Sequence, residues 1–146
     1  MLCWQEKRVF LADFGTSKNF PVSVCLNGAY VTKEYLPPEL FGGKAPPRLL
    51  LPSVDMWSLG ALLFEVRTGV FLCQPDRVCK DVTEYCQDQN QSSRPFSRTR
   101  WGRILGQAGD SVARTVYRLC KGNPYDRPAA SNDAANTLHI WANSRM

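Results

Sequence analysis

Histidine is nearly missing from this chain: His139 is the only one in 146 residues. That excludes a His-rich zinc pattern. Six cysteines stand at positions 3, 25, 73, 79, 86 and 120, and none forms a Cys-x-x-Cys pair. A thiolate metal site therefore has no foothold either. No Gly-x-Gly-x-x-Gly occurs, so the chain has no glycine-rich loop to cradle phosphates. Long apolar runs are also lacking. The segment from Val54 to Val66 is too short to span a bilayer and carries Asp55 and Glu65. At the N-terminus Lys7 and Arg8 follow the first apolar residues rather than precede them, which argues against a secretory signal in this chain. There are no internal repeats.

The net charge is +5. Much of the excess comes from Arg94, Arg98, Arg100, Arg103, Arg114 and Arg118, a stretch whose only acid is Asp110. No groove-reading element accompanies it, so it reads as a solvated or partner-facing surface and not as a nucleic-acid site. At 44% hydrophobic the chain can bury the core of one ordinary domain. The cysteines read as reduced, mostly buried thiols in a reducing compartment. Their even number leaves a disulfide framework open.

Along the chain, Arg8 to Ala12 is β-branched and aromatic and reads as one short buried strand, ended by the Asp13-Phe14-Gly15 turn. Thr16 to Val31 reads as loop, with Pro21, Asn27 and Gly28. Pro37 and Pro38 stop helix propagation, and one short helical turn can follow over Glu39, Leu40 and Phe41. Gly42 to Pro52 is a second loop. Ser53 is a good N-cap, and Thr68-Gly69 a good stop, for a helix bearing Val54, Met56, Trp57, Leu59, Leu62, Leu63, Phe64 and Val66. Those residues cover nearly the whole circumference, which predicts a helix buried at the centre of the domain. Residues 70 to 86 are ambiguous, with Val78, Val82 and Tyr85 at helical spacing. Gln87 to Ser97 reads as loop. Asp110 or Ser111 caps a helix with Val112, Val116 and Leu119 on one face, and Ser131 can cap a last helix carrying Ala134, Leu138 and Trp141. The balance is mostly α.

Four elements in fixed order then acquire a meaning together. These are Asp13-Phe14-Gly15 after a strand, Thr32-Lys33-Glu34-Tyr35-Leu36-Pro37-Pro38-Glu39, the Asp55-Met56-Trp57-Ser58-Leu59-Gly60 helix start, and Arg127 in Asn-Pro-Tyr-Asp-Arg-Pro. In this order they resemble the C-terminal half of a eukaryotic protein kinase catalytic domain. The resemblance implies a mostly α, kinase-like C-lobe packed around a central helix, with one short N-terminal strand. Residues 1–146 would be a partial kinase domain, with residues 13–39 as its activation segment.

The same resemblance implies roles. Asp13 would ligate the magnesium that bridges the ATP phosphates, a task for a hard carboxylate oxygen at the end of a rigid strand. Phe14 would pack beneath a helix, and Gly15 would supply backbone freedom to the turn. Thr32 would line the substrate groove, favouring Ser/Thr over Tyr specificity. Glu39 and Arg127 would form a buried ion pair. Asp55 would accept hydrogen bonds from the backbone of a catalytic loop, with Trp57 packed nearby. Ser23, Tyr30 and Thr32 are candidate phosphorylation positions.

Within these 146 residues there is no Val-Ala-x-Lys strand and no His-Arg-Asp-x-x-x-x-Asn. Only 12 residues precede Asp13, so the resemblance implies that the ATP-binding N-lobe is not part of this chain. Mg and ATP would be the cofactors of the complete family member, and this chain alone would be inactive. Its partners would be a protein substrate or regulatory protein and the missing N-lobe. The alternative is a non-catalytic, pseudokinase-like interaction module. The lengthened Gly42–Pro52 loop and the doubled proline resemble the secreted rhoptry kinases of intracellular parasites. The expected location is cytoplasmic, or secreted if that resemblance holds.

Overall fold

The computed structural model describes residues 2–3, 8–9, 12–17, 22–24, 32–41, 48–50, 52–91, 101, 103–104 and 110–129. Three helices organise them: α1 (Ser53–Thr68), α2 (Val78–Gln91) and α3 (Asp110–Leu119). The fold is mostly helical. Three-residue 3-10 turns stand at Phe14–Thr16, Lys33–Tyr35, Pro38–Leu40 and Pro124–Asp126. The helix expected from Ser131 lies outside the described residues.

Among the described residues, four short strands in two antiparallel pairs stand where a single strand was expected. Strand β1 (Leu2–Cys3) pairs with β2 (Arg8–Val9), in register Leu2 with Val9. Strand β3 (Val22–Val24) pairs with β4 (Arg48–Leu50), in register Ser23 with Leu49. Both stretches holding β3 and β4 were expected to be loop. Each strand is only three residues long, too short for an alternating pattern to stand out from its proline- and glycine-bearing surroundings.

Helix α1 stops as its sequence predicts. Gly69 adopts the left-handed conformation (φ 74°) and its N–H donates to the Glu65 carbonyl at 2.8 Å. Its start differs: Pro52 occupies the cap position and Ser53 is already helical, so Ser53 makes no side-chain cap. One long face is buried, through Met56, Trp57, Gly60, Ala61 and Phe64. The other is not. Leu62 is 45% and Val66 68% exposed, which corrects the expectation of burial all round.

The main core is built on an aromatic stack. Trp57 meets Tyr85 edge-on at 5.6 Å between ring centroids, and Tyr85 meets Trp101 at 5.3 Å. Such edge-to-face pairs add roughly 0.5–1.5 kcal/mol beyond the area they bury. Trp101, in helical backbone with Arg103 and Ile104, donates its indole N–H to the Leu72 carbonyl at 2.8 Å. The ambiguous stretch resolves into α2, whose Val78, Val82 and Tyr85 are buried at the spacing read from the sequence. It runs on to Gln91, so the first residues of the expected polar loop are helical. Helix α3 lays Val112, Val116 and Leu119 against α1, and Asp110 is its first helical residue. The two helices pack tightly at Gly60. A Cβ built there would stand 2.4 Å from Cys120 Sγ and 2.8 Å from Leu119 Cβ. Among the described residues no helix is long and apolar enough to cross a membrane.

Candidate functional site

The residues singled out by sequence fall into two groups in space. The first is an anchor. Arg127 is buried, and all five of its N–H donors are used. Nη1 donates to Glu39 Oε1 (2.7 Å) and to the Ser53 carbonyl (3.0 Å). Nη2 donates to Glu39 Oε2 (2.7 Å) and to the Gly122 carbonyl (3.4 Å), while Nε donates to the Lys121 carbonyl at 2.7 Å. The Arg127–Glu39 contact is thus a bidentate fork, the geometry a guanidinium and a carboxylate share best. The guanidinium also lies 5.2 Å from the centroid of the Trp57 ring. One arginine therefore joins the Pro38–Leu40 turn, the first turn of α1 and the segment after α3.

A second tie holds the same stretch further upstream. Tyr35 Oη donates to Glu65 Oε2 at 2.5 Å, and Ser58 Oγ donates to the Tyr35 carbonyl at 3.0 Å. The Tyr35 ring meets Phe71 edge-on at 6.1 Å. Burial, then the hydrogen bond to Glu65, then the negative charges of Glu65 and Glu34 push the Tyr35 phenol up to about 12. Sequence reading missed Glu65 and Ser58 as partners. They sit on a helix read for its apolar residues and Asp55, and no local pattern announces a hydrogen bond across 30 positions.

The Asp13 corner is open. Asp13, Phe14 and Gly15 are all exposed, Phe14 at 66%, and no described helix covers that ring as the resemblance implied. The unusual backbone falls on Asp13, at φ 63° and ψ 68°, and not on Gly15. Left-handed conformation is uncommon for a residue with a Cβ, though aspartate tolerates it better than most. Such conformations gather where a side chain must be aimed. Magnesium tolerates a single protein carboxylate when phosphate oxygens and water complete its octahedron, so Asp13 fits the role of one ligand. Among the described residues no group of three His, Cys, Asp or Glu side chains could hold a metal ion without such help.

Thr32 is exposed, in extended backbone ahead of the Lys33–Tyr35 turn, and its hydroxyl caps nothing. Asp55 is exposed on the outward face of α1, the side that also carries Leu62 and Val66. The ring of Trp57 is buried beside Arg127. Ser23 lies in β3, and Tyr30 lies outside the described residues.

A sequence model of the protein kinase domain matches residues 1–138 of this chain. The chain belongs to the protein kinase family. Myosin light chain kinase A of Dictyostelium discoideum is similar to this kinase domain, 28% identical over 137 residues, which are 89% of the chain and 43% of that protein. Serine/threonine-protein kinase AtPK1/AtPK6 of Arabidopsis thaliana is 39% identical over 64 residues, 44% of the chain and 13% of the relative. The kinase domain therefore spans less than half the length of these curated relatives. No solved structure matches it.

Cys73, Cys86 and Cys120 are in no disulfide, and Cys73 and Cys120 are buried. Burial pushes the Cys86 thiol up to about 11, opposed by the Arg127 charge and aided by that of Glu39. Burial likewise pushes the Cys120 thiol far above its ordinary value.

Proposed function

We propose that residues 1–146 are the C-terminal lobe of a Ser/Thr-type protein kinase domain, with residues 13–39 as its activation segment. In a polypeptide that also supplies a glycine-rich loop, a phosphate-contacting lysine and a catalytic Asp loop, it serves phosphoryl transfer from Mg-ATP to protein hydroxyls. Asp13 is the magnesium ligand, Phe14 and Gly15 complete its turn, and Thr32 lines the substrate groove. Glu39, Arg127, Asp55 and Trp57 are architectural. The observation that carries the reading is the Glu39–Arg127 fork, which seats the end of the segment on α1 within a chain matching the kinase family over 1–138.

By itself this chain is proposed to be inactive. Phosphoryl transfer depends on positioning and charge neutralisation, and one carboxylate supplies little of either. A thermal-shift titration with millimolar Mg-ATP tests this. No stabilisation is expected, and a clear rise in Tm would contradict it. Fused to an upstream half carrying the three missing elements, the chain should label serine and threonine of a generic protein substrate, and Asp13→Asn should abolish that labelling. Labelling confined to tyrosine would refute the specificity assigned here.

Exposed Phe14, Leu62 and Val66 favour a second reading, a non-catalytic pseudokinase-like module that binds a regulatory protein through these faces. It wins if the fused protein binds Mg-ATP but transfers nothing. The proposed location is cytoplasmic. A disulfide in the protein isolated from its cells would instead favour the secreted, rhoptry-kinase-like variant.

A further inference from the structure

Helix α3 turns Val112, Val116 and Leu119 inward, and its opposite face carries Arg114 and Arg118, both exposed. Lys121 follows the end of the helix, with Nζ 3.5 Å from the centroid of the Tyr117 ring. The charge here is one-sided. Residues 92–125 hold seven Lys and Arg residues against a single acid, Asp110, while the rest of the chain is balanced to within one charge. Helix α2 is built otherwise: Arg77 lies 3.3 Å from Asp81, and Lys80 lies 3.7 Å from Glu84. A face that meets only water mixes its signs in that way. Among the described residues no carboxylate stands within ion-pair distance of Arg118 or Lys121. We propose that the outer face of α3, through Arg114, Arg118 and Lys121, docks an extended, Asp/Glu-rich segment of a partner protein. The proposal does not depend on the phosphotransfer reading, because it uses none of the residues assigned there.

The spacing and the chemistry both suit such a segment. Four residues of helix advance about 6 Å, which separates Arg114 from Arg118 along the axis. Alternate side chains of an extended strand stand about 6.8 Å apart on one side, so carboxylates at every second position meet successive cations. A guanidinium receives a carboxylate with two parallel hydrogen bonds, and its five donors allow a further contact within the chain. Like charges one turn apart also weaken a helix, and an acidic partner offsets that repulsion. Other anionic surfaces fit less well. The large apolar residues of α3 are buried, leaving none to enter a bilayer. Three cations on one face neutralise too few phosphates to hold a nucleic acid against salt.

The test uses the full chain and a fluorescein-labelled peptide alternating glutamate with serine, followed by fluorescence anisotropy. Binding should weaken at least tenfold when salt rises from about 0.1 M to about 1 M, which shortens the reach of these charges from about 10 Å to about 3 Å. The double change Arg118→Glu with Lys121→Glu should also weaken it at least tenfold. It spares the Lys121 carbonyl that receives Arg127 Nε–H, so Tm should hold. Arg67→Glu with Lys80→Glu shifts the net charge equally from exposed positions on α1 and α2, and should change binding less than twofold. A peptide alternating lysine with serine should bind the Arg118→Glu, Lys121→Glu chain and not the parent, a gain that an unfolded variant would not show in step with an unchanged Tm. An equal loss in the Arg67→Glu, Lys80→Glu chain would overturn the proposal. So would no binding of the glutamate peptide at the lower salt, or tighter binding of a single-stranded oligonucleotide or of phosphatidylserine vesicles at the same site.

Discussion

Replacing Arg127 by lysine keeps the positive charge and removes the fork, which makes it the sharpest probe of how this lobe is held together. An ammonium can satisfy one oxygen of Glu39 from roughly the same place. It cannot also reach the carbonyls of Lys121, Ser53 and Gly122, which lie in three directions around the guanidinium. Each buried acceptor left without its donor costs about 1 kcal/mol, so the three carbonyls and the second carboxylate oxygen together imply a loss of about 3–4 kcal/mol. Arg127→Leu, which strands the Glu39 charge, should cost about 3–5 kcal/mol. Against a total of about 5–15 kcal/mol for an ordinary domain, either loss is large. Urea unfolding followed by tryptophan fluorescence is the assay, and Trp57, beneath the guanidinium, reports on the site directly. The double change Glu39→Met with Arg127→Met should recover only part of the loss, because removing both charges still takes one donor from each of the three carbonyls. If Arg127→Lys lies within 1 kcal/mol of the parent at unchanged denaturant dependence, the account of this arginine as a five-donor hub is wrong.

Gly60→Ala pits helix propensity, about 1 kcal/mol in favour of alanine, against a methyl forced toward Cys120 Sγ and Leu119 Cβ. Both neighbours are fully buried, so the steric term should win by about 1–2 kcal/mol; a raised Tm would refute this, and adding Cys120→Ala should restore part of the loss. A phenol held above its unfolded value contributes stability that is complete below pH about 10 and disappears as pH climbs through about 12. Screened at a partly exposed site, that contribution is about 1 kcal/mol, and Tyr35→Phe should abolish both this alkaline loss and one phenolate absorbance step near pH 12. At pH 8 in the native state, thiol reagents should modify Cys86 and Cys120 at least a hundredfold more slowly than in urea, since the thiolate is the nucleophile. Rapid labelling of Cys120 without unfolding would show that the joint between α1 and α3 opens.

The legible parts of this chain were those written in local chemistry. Thr68-Gly69 announced the end of α1, and the Val112, Val116, Leu119 spacing announced α3, because a cap and a 3.6-residue period are properties of a few neighbouring residues. The kinase resemblance rested on the same footing, on short motifs in order. What stayed hidden was relational. Nothing near Val22–Val24 says that it will pair with Arg48–Leu50, and nothing in Lys121 or Gly122 says that their carbonyls will meet Arg127. The apolar circumference of α1 misled in a different way. It reports what the helix is built to bury, and Leu62 and Val66 carry that chemistry while standing exposed.

Glu39 and Arg127 are separated by 88 positions, and their separation has a bearing on the order of assembly. A polypeptide leaving the ribosome has made all of α1, α2 and α3 before Arg127 emerges, so the fork is among the last long-range contacts it can close. Loop closure over such a distance is entropically costly and is repaid only once the helices already hold its ends near each other. The clasp should therefore act as a brake on opening and not as a spur to closing: weakening it should hasten unfolding and leave the refolding rate almost untouched.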